Sequence, residues 1–436
     1  MDVPITNNKG SKLITRVLKF IPLFIFLLTF LARLIFYLVM KQFNAHSWSF
    51  EHIGVNGWLP IAQNLVAGKG YTIDTLLTYF SVNHLVPTAA RSPLPILILS
   101  AVLLIFPHHY YHLLFFLSWV LSAFCALLFY HIASRSLNSR FLGFLSALFY
   151  ALYLPEMNIA TTYAACSESI FTLLLTAYFW ALLRYWESEK RAWIFGAGIF
   201  LGLAALSRPV AFYLPLVVVP WFFWRDRQKG LAKAAIFLLP FLLCVLPWAA
   251  RNQMVFGKPI FTSTLGGYNL LRHNGMIEQN RYYLRESDEF EPIAKDLFTK
   301  AGYKPDELNE VQADRILMKE AERIIRRYPF RYLNLCRKRF FWILYKENAD
   351  QPLYLIPNMI LYPLMFFGIF FAFLQKRRFL VFLSLHILFF IFFHTAVNAQ
   401  FRFFAPVIPC AILLATLSLS QVKMALYNLR RGASLR

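Results

Sequence analysis

Charge is what this chain has least of. Only 15% of its 436 residues are charged, against about a quarter in an ordinary soluble domain. Acids are the scarcer sign, with 22 Asp+Glu against 44 Lys+Arg and a formal charge of +22. Cysteine is nearly absent. Cys125, Cys166, Cys244, Cys336 and Cys410 form no CxxC and no Cys/His ligand cluster, which argues against a disulfide framework and a structural zinc site. Cys125, Cys244 and Cys410 lie within apolar runs and read as small buried hydrophobes. The sequence carries no P-loop, no GxGxxG, no HExxH, no internal repeat and no low-complexity tract. Nucleotide-phosphate cradles, dinucleotide folds and zinc-protease helices therefore find no support.

What is present is apolar. Hydrophobic residues make up 58% of the chain and aromatics 18%. A helix needs about 20 apolar residues to cross the hydrocarbon core. Spans are expected at 18–40, 111–133, 141–157, 168–184, 193–207, 209–224, 233–249, 355–374, 379–396 and 404–421. The fold class is thus an all-α polytopic membrane protein of about ten transmembrane helices. The N-terminal apolar run is too long for a signal-peptide core and reads as a retained anchor. Basic clusters at 135–140, 184–191, 224–230, 375–378 and the C-terminal tail all fall on one side if the N-terminus is cytoplasmic, as the positive-inside rule requires. The excess of Lys and Arg is thereby explained by topology and anionic lipid, not nucleic acid. "PLPILILSAVLLIF" (93–106) is too short to cross, and counting it would invert every later loop. It reads as a re-entrant or juxtamembrane helix on the outer face.

Three regions emerge: a transmembrane module at 1–250 with a long first outer loop at 41–110, a polar outer subdomain at 251–350, and C-terminal helices at 351–436 ending in a basic tail. The middle region holds 14 of the 22 acids. Its charged and apolar residues alternate at helical spacing up to a turn near Pro329, then again beyond it.

Ionised side chains against a membrane are costly and are functional candidates by default. Removing the cytoplasmic loops and the polar subdomain leaves four outer-face acids: Glu51, Asp74, Glu156 and Glu168. Glu168 opens a span. It is either a carboxylate stabilising a helix N-terminus or a site residue facing a cavity. Glu156, after Pro155, reads as an interfacial cap. Glu51 or Asp74, in the opening loop, is a candidate base or metal ligand. The matching cations are Lys69, Arg91, Arg208, Arg251 and Arg402. Each reads either as a snorkelling side chain or, for the arginines, as a phosphate-binding fork.

Motif order adds to this reading. A first span is followed by "WLPIAQNLVAGKGYT", "TAARSPLPILIL", "SESIFTLLLTAYFWALL", "GLAALSRP", "PWAARNQMVFGKPIFTSTLGGYNLLRHNG" and "RFFAPVIPCAILL". This order resembles the GT-C superfamily of polytopic glycosyltransferases, in the branch of the protein O-mannosyltransferases and the aminoarabinose lipid A transferases. The resemblance implies transfer of a sugar from a polyprenyl-phosphate donor to a lipid, glycan or protein acceptor, on the outer face of a bacterial or archaeal plasma membrane. It implies inversion at the sugar carbon. In such enzymes an acid in the first outer loop precedes an aromatic by four positions. Trp58 matches the aromatic, but Gly54 stands where the acid belongs, which leaves Glu51 and then Asp74 as substitutes. Arg91 matches the basic residue before a PPL-type motif, Glu168 a second acid that in some members helps hold a divalent metal, and Arg208 and Arg251 the RP and RN motifs. Arg402 joins them as a candidate for the donor phosphate. Two other classes stay open: a flippase for lipid-linked glycans, and a non-catalytic assembly subunit.

Overall fold

The computed structural model describes residues 8–43, 57–77, 80–162, 167–282, 287–304, 307–345 and 352–433. Glu51 lies outside them.

The apolar runs become helices with nearly the expected limits. The first segment gives α1 (Asn8–Phe43), α2 (Leu59–Val66), a hairpin of β1 (Thr72–Leu76) and β2 (Phe80–Pro87), and α3 (Pro93–Ile105). Then come α4 (Tyr110–Ser136), α5 (Arg140–Ala151), α6 (Leu154–Thr162), α7 (Glu168–Ser188), α8 (Arg191–Ser207), α9 (Pro215–Arg225) and α10 (Gly230–Phe256). The polar region folds as α11 (Gly266–Asn274), α12 (Ser287–Lys300), α13 (Glu310–Arg327) and α14 (Pro329–Leu344). The chain closes with α15 (Pro352–Leu374), α16 (Arg378–Val397), α17 (Phe401–Phe404) and α18 (Ile408–Ala433).

Among the described residues, seven helices are long and apolar enough to cross a membrane. An eighth crossing exists if α5 and α6, bent by 50° at their break, are one broken span. The expected ten is not reached by this measure. The shortfall lies at 193–207 and 209–224, where the helices are Arg191–Ser207 and Pro209–Arg225. At about 1.5 Å per residue, each falls short of a core about 30 Å thick. Prolines explain the interruption. Arg208 precedes Pro209, so its backbone is driven to the extended region (φ −143°, ψ 133°) and α8 must stop at Ser207. The all-α expectation holds for the bundle. The hairpin is the exception, and it falls in the opening loop.

Two packing features set the shape of the molecule around its helix ends. In α8, Gly198 and Gly202 sit four apart against α10. A Cβ on Gly198 would meet the Phe237 carbonyl oxygen at 2.2 Å, and one on Gly202 the Cys244 Cβ at 2.7 Å. Small residues at this spacing let two backbones approach in a membrane. The second feature is a separate core outside the bundle. Leu76, Leu77 and Phe80 of the hairpin, with Ala90, pack with Tyr268, Phe298, Leu317 and Leu335 of α11–α14. The opening loop and the polar region therefore share one hydrophobic core. Short connections at 136–140, 188–191, 225–230 and 374–378 make successive helices run antiparallel. They gather the basic loops at one end of the bundle and leave the opening loop and polar subdomain at the other, hereafter the loop end. This is the architecture of an integral membrane protein.

Candidate active site

Glu168 begins α7 at the loop end, in the first turn where the partial positive charge of the helix favours a carboxylate. The halt at Pro209 brings Arg208 to it. Arg208 Nη1 lies 3.2 Å from Glu168 Oε1, with side-chain exposures of 13% and 3%. The guanidinium stands over the rings of Phe403, 4.8 Å to the centroid, and Phe171, 5.8 Å. Arg402 takes the same ring at 5.1 Å and donates from Nε to Gln400 Oε1. His394 stacks on Phe403 at 5.1 Å. Two of the four expected arginines thus lie against one aromatic ring, and one of them, Arg208, meets an expected carboxylate. Glu168 Oε2 is buried and has no hydrogen-bond partner among the described residues. Desolvating one carboxylate oxygen without a donor is costly, and it leaves that oxygen available to a reacting group.

Arg91 and Arg251 form a second group. Arg251 Nη1 donates to the Thr88 carbonyl (2.8 Å) and to Asn252 Oδ1 (2.9 Å), and Nη2 donates to the Tyr71 carbonyl (3.1 Å). Its guanidinium packs on Tyr71, Trp248 and Phe256. Tyr71 in turn donates its hydroxyl to the Arg91 carbonyl (3.0 Å), while the Arg91 guanidinium lies over Trp58 at 5.5 Å. Arg251 therefore fastens the start and end of the hairpin, and Arg91 is held by its own backbone and by the aromatic that precedes it in the loop.

Glu310, set aside from sequence with the other acids of the polar region, completes this latch. It is 1% exposed. Its carboxylate accepts from Thr88 Oγ1 (2.6 Å), the Ala89 backbone N–H (2.7 Å) and Thr264 Oγ1 (2.7 Å). Burial lifts its pKa above the usual glutamate value, and these three donors pull it back. Asp314, one turn on, accepts from the N–H groups of Gly267 and Tyr268, and burial raises it to about 6.

The other expected acids lie apart from this. Asp74 is exposed on β1, where the ladder register shifts, and makes no ion pair among the described residues. Glu156, expected as an interfacial cap, does occupy the first turn of α6 but is only 3% exposed. It accepts from the Tyr150 hydroxyl at 3.3 Å and lies within electrostatic reach of Glu168 and Arg33. Arg33 was passed over in the sequence. The signal was legible: one cation inside the apolar run "FLARLIF".

A divalent metal at Glu168 does not fit the described residues. Oε1 faces a guanidinium, and among the described residues no three His, Cys, Asp or Glu side chains converge. Four described cysteines are free, Cys125 and Cys410 among them buried as expected and Cys244 only partly so.

Residues 90–250 match the model of the dolichyl-phosphate-mannose-protein mannosyltransferase family. Among curated proteins none matches the chain. The crystal structure of the apo oligosaccharyltransferase from Archaeoglobus fulgidus is similar over 95% of this chain and 52% of its own, with a TM-score of 0.57 at 16% identity. The chain has a GT-C fold. It spans about half the length of the archaeal protein. AglB of the same organism, in complex with an inhibitory peptide and a dolichol-phosphate, aligns with a TM-score of 0.52 at 15% identity over 95% of this chain and 52% of that one. ArnT from Cupriavidus metallidurans, bound to undecaprenyl phosphate, aligns at 0.35 and 14% identity over 84% and 72%. The matched segment contains Arg91, Glu168 and Arg208 and ends one residue before Arg251. Arg33, Glu310 and Arg402 lie outside it.

Proposed function

We propose that this protein is a glycosyltransferase that moves a sugar from a polyprenyl-phosphate-linked donor to an acceptor hydroxyl at the loop end of the bundle. The observation that carries the reading is the buried Glu168–Arg208 pair, with one carboxylate oxygen unpartnered among the described residues, inside the segment that matches the mannosyltransferase family. The sidedness rests on the basic loops gathered at the opposite end, which positive-inside topology places in the cytoplasm. The loop end then faces outward from a bacterial or archaeal plasma membrane. A lipid-linked donor offers its phosphate at headgroup level while its tail stays in hydrocarbon, and polar groups at helix ends meet it there.

The acceptor, on a lipid, glycan or protein, attacks the anomeric carbon through its hydroxyl oxygen. The bond from that carbon to the phosphate oxygen breaks, and polyprenyl phosphate leaves with the electron pair. One displacement inverts the centre. The hydroxyl proton goes to a carboxylate, Glu51 or Asp74 of the opening loop. Arg208 and Arg402, both against the ring of Phe403, hold the charge that develops on the leaving phosphate. Glu168 orients Arg208. Arg91 contributes from beneath the loop, and Arg251 acts by keeping the loop closed.

The test is purified protein in lipid nanodiscs with a synthetic polyprenyl-phospho-sugar and a panel of acceptors. Release of polyprenyl phosphate with a new glycosidic product supports transfer. Movement of the lipid across vesicles without release supports a flippase, and neither outcome supports an assembly subunit.

A further inference from the structure

Arg33 is fully buried in α1, a helix whose membrane window is only 28% buried. Its side chain does not reach the arginines gathered on Phe403. Nε donates to Ser122 Oγ of α4 (2.9 Å), and Nη1 donates to the Ala151 carbonyl. Ala151 is the last residue of α5, so this carbonyl is one that the α5–α6 break removes from helical pairing. The guanidinium lies 5.5 Å from the Tyr150 ring centroid, and the Tyr150 hydroxyl goes on to Glu156 in the first turn of α6. A cation at the end of one helix and a carboxylate at the start of the next complement both dipoles.

The link to the site runs through α4. Ser118, one turn before Ser122, donates to the Ala160 carbonyl of α6 at 2.6 Å. Its oxygen lies 2.6 Å from Ser169 Oγ, beside Glu168. Because the single Ser118 proton goes to Ala160, Ser169 is the donor to Ser118. Two serines one turn apart therefore tie α1 and the break to the first turn of α7. The ionisable groups around Arg33 are Cys125 from α4, Tyr150 from α5 and Glu156 from α6, and beyond Glu156 stands Glu168 with Arg208.

We propose that Arg33 is a positioning residue for Glu168: it holds the α5–α6 break closed, and the Ser122–Ser118 turn of α4 carries that geometry to the start of α7. The inference rests on the proposed function for its catalytic meaning, but its test does not require turnover. A hydrophobic carbodiimide adds to protonated carboxyls buried in a membrane, and the adducts on Glu156 and Glu168 are counted by peptide mass spectrometry. Arg33→Met is expected to raise labelling of both by about threefold or more, and Arg33→Lys by less. Ser118→Ala, which keeps every charge but frees Ala160 of α6 as well as Ser169, is expected to change labelling of Glu168 more than that of Glu156. In the transfer assay each variant lowers kcat with little change in KM for the lipid donor. Should Arg33→Met fail to fold, Ser118→Ala decides. Folded variants with wild-type labelling at Glu168 overturn the proposal. A wild-type protein that releases no lipid phosphate overturns the proposed function alone, since the labelling result stands without it.

Discussion

Two buried glutamates open helices at the loop end, and they are treated in opposite ways. Glu310 has three neutral donors on its two carboxylate oxygens, all from loop segments it ties together. Glu168 has one guanidinium on one oxygen and, among the described residues, no donor on the other. Arg251 commits both terminal nitrogens to backbone carbonyls, whereas Arg208 and Arg402 both lie against the ring of Phe403. A buried charge fully matched by neutral donors holds structure. One left half-matched retains capacity for a ligand, at a cost the fold carries elsewhere. Burial alone does not separate the two cases. The count of donors separates these two, and the neighbours separate Glu168 from Glu156, which also has one oxygen unpartnered among the described residues but takes its donor from Tyr150.

That division can be broken by experiment. The largest effect is expected from Glu168→Gln, which keeps shape but removes the charge facing Arg208. Turnover should fall by about a hundredfold or more, with a smaller drop in thermal midpoint than Glu310→Ala gives, because the Gln amide oxygen still accepts from the Arg208 guanidinium that loses its counter-ion. Glu310→Ala should do the reverse. Three buried donors lose their acceptor, at about 1–3 kcal/mol each if unrelieved, so the midpoint should drop steeply in a thermal-shift assay. Turnover per folded molecule should fall far less. If Glu310→Ala removes turnover without touching stability, the contrast between the two glutamates is wrong.

Arg251→Lys comes next. It retains the charge but cannot reach two carbonyls in the same fork geometry, so a loss of about 1–2 kcal/mol is expected. Faster protease cleavage near Tyr71 and Thr88 should accompany it. A phosphate-binding Arg251 would instead raise KM for the donor with the loop still protected.

A pH measurement sharpens the structural half. Burial raises Asp314 to about 6, so the folded state favours its protonated form. Its contribution to stability is present below the unfolded value of about 4 and is lost as pH rises through about 6. Asp314→Asn should remove that fall, read as the difference between wild-type and variant midpoints across this window. The smallest effect belongs to Asp74→Asn. At an exposed position the stability change should stay within about 0.5 kcal/mol. Its turnover then reports only whether Asp74 is the base.

Most of the bundle was legible because a membrane span is a long apolar run, and few other structures need one. The cores of α4, α7, α10, α16 and α18 come from that alone, as does the shortness of α3, while α10 and α18 run several residues past their apolar runs. The two helices around Pro209 are shorter than a full span, a shortening that hydropathy does not register because it does not see a proline that ends a helix early. The hairpin was missed because "TIDTL" and "FSVNHLVP" are short and sit in a loop already explained as polar. The site was half legible. Glu168 and Arg208 stood out as charges at the ends of apolar runs, and their partnership comes from the RP step. Glu310 was hidden among fourteen acids, since composition cannot tell which carboxylate of a charged helix turns inward. Glu156 was placed at the surface because its local sequence ends a span, while the break at 152–153 turns it inside.

The most direct test compares Glu168→Gln with Glu310→Gln in one reconstituted reaction, following free polyprenyl phosphate over time. The expected result is a wild-type burst of lipid phosphate, near-silence from Glu168→Gln, and substantial release from whatever Glu310→Gln protein remains folded. Undiminished release from Glu168→Gln would contradict the central claim that its half-matched carboxylate serves the reaction.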